Sequence, residues 1–165
     1  MKNTLPSALG PRLAAIERCD AVRLAMARYM DLCDVPREAY DEAELAGLFA
    51  EHAVWEGTGP EYTGKFGRLK GREAIMSMLR SYLPPAKHFR RNVHVLGEGY
   101  ITTQDDAATG RWVMQQVSEY DNGEHELIVA RLAVDFEITG STARISHFRT
   151  EKILSVNPAI TLSAN

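Results

Sequence analysis

The chain has 165 residues, a length that fits one domain with a substantial core. Its 45% hydrophobic and 25% charged residues are those of an ordinary globular protein, and a net charge of -3 without a basic stripe argues against a nucleic-acid partner. The segment Met1–Arg12 has no signal-peptide apolar core and no apolar run is long enough to cross a membrane, so a cytoplasmic protein without membrane association is expected.

Residues 1–10, with Pro6, Ser7 and Gly10, read as a loose lead-in, residues 11–157 as one domain and residues 158–165 as a tail. From Pro11 to about Cys33, Leu13, Ile16, Val22, Met26 and Met30 recur at helical spacing, and Pro11 suits the first turn. Cys19 and Cys33 both fall in this helix, about 21 Å apart at ~1.5 Å per residue, which excludes a mutual disulfide and suggests free thiols in a reducing compartment. Pro36 disfavours helix at the residue before it, so a turn follows Asp34. A shorter helix carries Ala43, Leu45, Leu48 and Phe49, and His52–Glu56 reads as a short strand. Glycines 57, 59, 64 and 67 then mark a long loop, and a third helix begins near Gly71 and stops at Pro84-Pro85.

Beyond Pro85 the period changes from helical to alternating. Four strands are expected, roughly 88–103, 108–121, 125–138 and 142–155, with Asn122-Gly123 a strong hairpin signal. Helices followed by a meander of long strands imply an α+β fold: three helices packed on a curved, mainly antiparallel sheet, forming a cone whose mouth is a pocket.

The chemistry is expected from Asp34, at the end of the first helix, and His88, at the start of a strand. A carboxylate beside an imidazole orients the ring, fixes its tautomer and makes it a general base. On a strand, His88, Arg90, Asn92 and His94 share one face, an unusually polar row that lines a pocket or faces solvent. The position at the strand start, near the helix end, favours His88, and His94 reads as a minor candidate at the surface or an interface. His147, Arg149 and Glu151 alternate on the last strand, either as an ion-pair row or with Arg149 holding a substrate oxygen at the pocket rim. Trp55 and Trp112 read as core or pocket wall, and Tyr29 as a core residue whose hydroxyl finds a partner. No histidine, cysteine and carboxylate set has metal-ligand spacing, so no metal and no cofactor are expected.

Several strings carry a resemblance in their order: Tyr29 with Asp34, Leu48-Phe49, Trp55, Gly71-Arg-Glu-Ala-Ile75, His88 with Asn92, and Ala108-Thr-Gly-Arg-Trp112. In these the chain resembles the NTF2-like superfamily, in particular its SnoaL-like branch, which includes scytalone dehydratase, bile-acid 7α-dehydratase and the hexachlorocyclohexane dehydrochlorinase. The resemblance runs from about residue 12 to residue 157. It implies that Asp34 supports a catalytic histidine, that His88 removes a proton from carbon, and that Tyr29 lies near a leaving hydroxyl. The second histidine of scytalone dehydratase has no counterpart in Val113–Val117, where Gln115 or Gln116 is expected to hydrogen-bond a substrate.

The reading is a cofactor-independent lyase or isomerase acting on a small hydrophobic molecule, with Asp34, His88 and Tyr29 catalytic. Asn92, Trp55, Trp112, Gln115 and Arg149 bind the substrate. The alternatives are a non-catalytic structural subunit, resembling the small subunit of ring-hydroxylating dioxygenases beside an iron-containing partner, or a small-molecule binding protein. By resemblance a homodimer or homotrimer is expected.

Overall fold

A computed structural model describes residues 9–37, 40–62 and 67–158. The expected lead-in and tail fall mostly outside them. The first helix, α1 (Leu9–Cys33), is continuous, which keeps Cys19 and Cys33 apart as free thiols. Its buried face begins only at Ala21 and continues through Val22, Met26, Tyr29, Met30 and Cys33, the i, i+4, i+7 recurrence of an amphipathic helix. Leu13 and Ile16, expected on that face, are exposed.

Helix α2 (Glu42–Gly47) starts where the Asp41 carboxylate caps the Glu44 N–H at 2.9 Å. Leu48 ends it, and Phe49, expected in the helix, opens strand β1 (Phe49–Thr58) as a fully buried residue. A 3₁₀ turn (Pro60–Tyr62) and a three-residue strand, β2 (Arg68–Lys70), follow, then α3 (Arg72–Arg80), which buries Ile75, Met76 and Leu79. The remaining strands are β3 (Phe89–Leu96), β4 (Tyr100–Gln104), β5 (Ala107–Tyr120), β6 (His125–Thr139) and β7 (Thr142–Val156). The single strand expected over 88–103 is thus two, broken at Gly97–Gly99, and both halves pair with β5.

The strands form one sheet in the order β2-β1-β7-β6-β5-β3, with β4 beside β5. All pairings are antiparallel except β1 with β7, so the sheet is mixed. Register shifts interrupt β1, β3, β6 and β7, and such bulges bend a sheet. The Asn122-Gly123 turn closes β5 onto β6, with Gly123 at φ 85°, a conformation that favours glycine. The architecture is α+β, with three helices on a curved sheet.

Alternation along β5 places Ala108, Gly110, Trp112, Met114 and Ser118 inward, while Arg111, Val113, Gln115 and Val117 face out. On β6 the inner frame is Ala130, Leu132, Val134, Phe136 and Ile138. These side chains meet Met26, Leu32, Leu45 and Ile75 from the helices in one core.

Candidate active site

Between the helices and the inner face of β3, β5, β6 and β7 lies a cavity of about 500 Å³. Helix α1 contributes Tyr29, Met30 and Cys33, α3 and the turn after it contribute Met78, Leu79, Tyr82 and Leu83, and β1 contributes Trp55. The sheet adds His94, Met114, Gln116, Ile128, Leu132 and Phe148, among others.

The end of α1 is tied to the middle of β3. Val35 and Asn92 exchange both backbone hydrogen bonds at 2.8 Å, and Pro36, with no N–H, cannot extend the ladder. This bridge brings Asp34 beside His94. Asp34 Oδ1 accepts the His94 backbone N–H at 2.9 Å and lies 2.8 Å from His94 Nδ1. The His94 side chain is only 11% exposed and lines the cavity, while Asp34 is 31% exposed. A carboxylate only accepts hydrogen bonds, so in the neutral ring the proton sits on Nδ1 and Nε2 is left basic.

The partner of Asp34 is therefore His94 and not His88, and the ranking of the two histidines from the sequence is corrected. His88 precedes β3, and its ring meets Tyr82, Phe89 and Tyr120 edge-on at centroid distances of 4.7, 4.4 and 5.4 Å. It still lines the cavity, and burial lowers its pKa below the ordinary histidine value, so it is held neutral by its surroundings rather than by a carboxylate. The shared face expected for His88, Arg90, Asn92 and His94 is also broken. Between Phe89 and Arg91 the pairing with β5 slips by one residue, which turns Arg90 outward and leaves Asn92 and His94 inside.

A polar chain runs beside the dyad. Asn92 is 2% exposed, and its Nδ2 donates to Cys33 O at 3.5 Å while its Oδ1 accepts from Ser118 Oγ at 2.8 Å. Ser118 in turn accepts from Gln116 Nε2 at 3.0 Å. Gln116 stands directly opposite His94 in the β3–β5 register and lines the cavity.

Tyr29 is buried in the cavity wall, stacked edge-on against Phe49 at 5.6 Å. Burial raises its pKa well above the ordinary value, with the neighbouring Cys33 acting in the same direction and the Trp55 indole against it. The hydroxyl thus stays protonated. Burial also pushes the Cys33 thiol up to about 12, so that sulfur is not a nucleophile at ordinary pH. Trp55 stacks on Phe148 at 5.8 Å and closes one wall.

Three expected substrate contacts lie elsewhere. Gln115 faces outward and is exposed, and Gln116 has the inner place. Trp112 is a core side chain outside the cavity: its ring fills the space over Gly99 and Gly110 and meets Phe136 at 6.3 Å. Arg149 lies on the outer face of β7, where it donates to Asp135 Oδ2 at 2.8 Å and contacts His147 Nδ1 at 2.9 Å. The ion-pair row expected there exists with different partners, since Glu151 meets Arg131 and His147 meets Glu56. Among the described residues, no three His, Cys, Asp or Glu side chains converge as a metal site would require.

A family model for the SnoaL-like domain matches residues 14–149. The chain belongs to the SnoaL-like family. No curated protein matches it in sequence. Among solved structures, the SnoaL-like chain is similar to a hexachlorocyclohexane dehydrochlorinase (LinA, type 2), with 15% identity, a TM-score of 0.72, and 91% of this chain and 97% of that one covered. A scytalone dehydratase-like protein of Novosphingobium aromaticivorans aligns with 17% identity and a TM-score of 0.70, over 86% and 88% of the two chains. An NTF2-like protein with a cystatin-like fold from the same organism has 21% identity and a TM-score of 0.67, over 93% and 92%. At these identities the likeness establishes the NTF2-like fold of this SnoaL-like domain, while residue roles rest on its own geometry.

Proposed function

We propose that the protein is a cofactor-independent lyase or isomerase in which His94, oriented by Asp34, removes a proton from carbon in a small hydrophobic substrate. The observation that carries this reading is the 2.8 Å contact of His94 Nδ1 with Asp34 at the wall of the cavity. A carboxylate and an imidazole held together in a part-buried place at the cavity wall are what a general base needs, and a structural subunit has no such need. The family's likeness to dehydratase and dehydrochlorinase structures points the same way.

In this mechanism Nε2 of His94 takes the proton of a C–H made acidic by an adjacent carbonyl, and Asp34 stabilises the imidazolium formed. The Tyr29 O–H donates to the developing enolate oxygen or to a departing hydroxyl. Asn92 spends its amide on Cys33 and Ser118, so it fixes the α1–β3 junction, and Gln116 is the amide at hand for a substrate oxygen. Loss of a β-substituent from the enolate gives an alkene, and reprotonation at another carbon gives an isomer.

The test is deuterium incorporation at carbon, followed by NMR, for a panel of cyclic and aryl ketones and their β-hydroxy derivatives in D₂O. Wild-type protein is expected to catalyse exchange or elimination in part of the panel, and His94→Ala to lose about 100- to 10,000-fold of that rate. Binding without exchange by the wild-type protein would instead make it a binding module.

A further inference from the structure

The cavity has a second polar pole that the proton transfer does not use. Glu126 on β6 and Lys152 on β7 both line it, with side chains 15% and 18% exposed. Glu126 accepts from Tyr120 Oη, from Ser155 Oγ at 2.5 Å and from Lys152 Nζ at 3.5 Å. Burial alone would raise the Glu126 carboxyl, but the hydrogen bonds from Ser155 and Tyr120 and the Lys152 charge outweigh it and keep it ionised.

The strand order sets the distance between the poles. His94 on β3 and Lys152 on β7 are three strand spacings apart, about 14 Å along the sheet at ~4.8 Å each. Between them the floor carries the apolar Met114, Ile128 and Ala130, with Gln116 beside His94. With His94 at one end of that span, Lys152 suits the far end of one elongated ligand. At the far pole the Lys152 charge already faces the Glu126 carboxylate. A ligand carboxylate would bring an uncompensated negative charge beside Glu126 in a desolvated site, whereas a neutral oxygen accepts from the three-donor ammonium without that cost.

We propose that Lys152, held by Glu126, anchors a neutral oxygen, a hydroxyl or carbonyl, at the far end of an uncharged substrate whose acidic C–H lies at His94. This inference rests on the reading above only for which end of the ligand reacts.

Calorimetric binding of three matched probes tests it: 4-phenylcyclohexanone, 4-(4-hydroxyphenyl)cyclohexanone and 4-(4-oxocyclohexyl)benzoate. The hydroxyl probe is expected to bind about tenfold tighter than the unsubstituted one, the scale of one charge-assisted hydrogen bond, and the carboxylate probe to bind weakest. Lys152→Met should erase the hydroxyl's advantage. Glu126→Gln, which leaves the ammonium without that counter-charge, should move the preference towards the carboxylate, and it keeps the test open if Lys152→Met fails to fold. Equal affinities for the three probes, no binding by any of them, or an unchanged ranking in both variants would overturn the proposal. Since binding is read without turnover, the ranking holding while deuterium exchange fails would retire the base at His94 and leave the anchor standing.

Discussion

At the scale of single residues, the two histidines of the cavity wall differ in what holds them. His94 has a carboxylate at Nδ1, and His88 has aromatic edges. Replacing each with glutamine separates them: His94→Gln is expected to remove the proton-transfer rate by about 100- to 10,000-fold, and His88→Gln to reduce it far less. Asp34→Asn keeps the shape of the pair but replaces the anionic acceptor, so the rate should fall here too. His88 carries a separate prediction about stability. Its folded pKa lies below the 6.5 of an ordinary histidine, because burial disfavours the charged ring. The unfolded chain therefore binds the extra proton first as the pH falls. Stability is full above the unfolded value, declines as the pH drops below it, and levels off beneath the folded value. In thermal melts from about pH 7.5 to about pH 5, wild type should lose more stability on acidification than His88→Phe. Parallel losses would remove His88 as the cause.

At the scale of elements, the site depends on how α1 is fastened to β3. The Val35–Asn92 bridge and the Asn92–Ser118–Gln116 chain hold the helix end against the strand. Asn92→Ala leaves the Ser118 hydroxyl without its acceptor in a buried place, and a loss of about 1–3 kcal/mol in urea unfolding at unchanged m-value is expected. The sequence already indicated a helix ending at Asp34, a polar row on the strand after Pro85 that lines a pocket or faces solvent, and a tight turn at Asn122-Gly123. It did not indicate where along β3 the helix end would attach, because a one-residue bridge has no periodic signature. That single unknown exchanged His94 for His88. The glutamines failed for another reason: alternation along β5 is legible, but which frame faces inward is set by packing, and a slip of one residue turns every side chain over. Trp112, buried over Gly99 and Gly110, fixes the frame that brings Gln116 inside. Arg149 was misplaced as a pocket residue because an irregularity near Ser146 shifts the pairing of β6 with β7 between Asp135 and Phe136.

At the scale of the whole molecule, the fold class and the run of long strands after the last helix were readable from the change of period at Pro84-Pro85. The bulges that bend the sheet into a cone were not, since each is a local register shift without a fixed residue signature. The outer face of the sheet has a consequence of its own. Val93 and Val117 sit opposite each other in the register, with Val95 and Val113 close by, and all four are exposed. We propose that this patch packs against a second copy of the chain. Light scattering on the eluting protein should give a multiple of the 18.4 kDa chain mass, and Val93→Glu with Val117→Glu should shift it to one chain.

The proposed base depends on Asp34 holding the proton on Nδ1 of His94, which leaves Nε2 for the substrate. Long-range ¹H–¹⁵N spectra of the histidine side chains report that tautomer directly. Neutral His94 is expected to carry its proton on Nδ1, and Asp34→Ala to abolish this preference. A proton on Nε2, or a tautomer indifferent to the loss of Asp34, would contradict it.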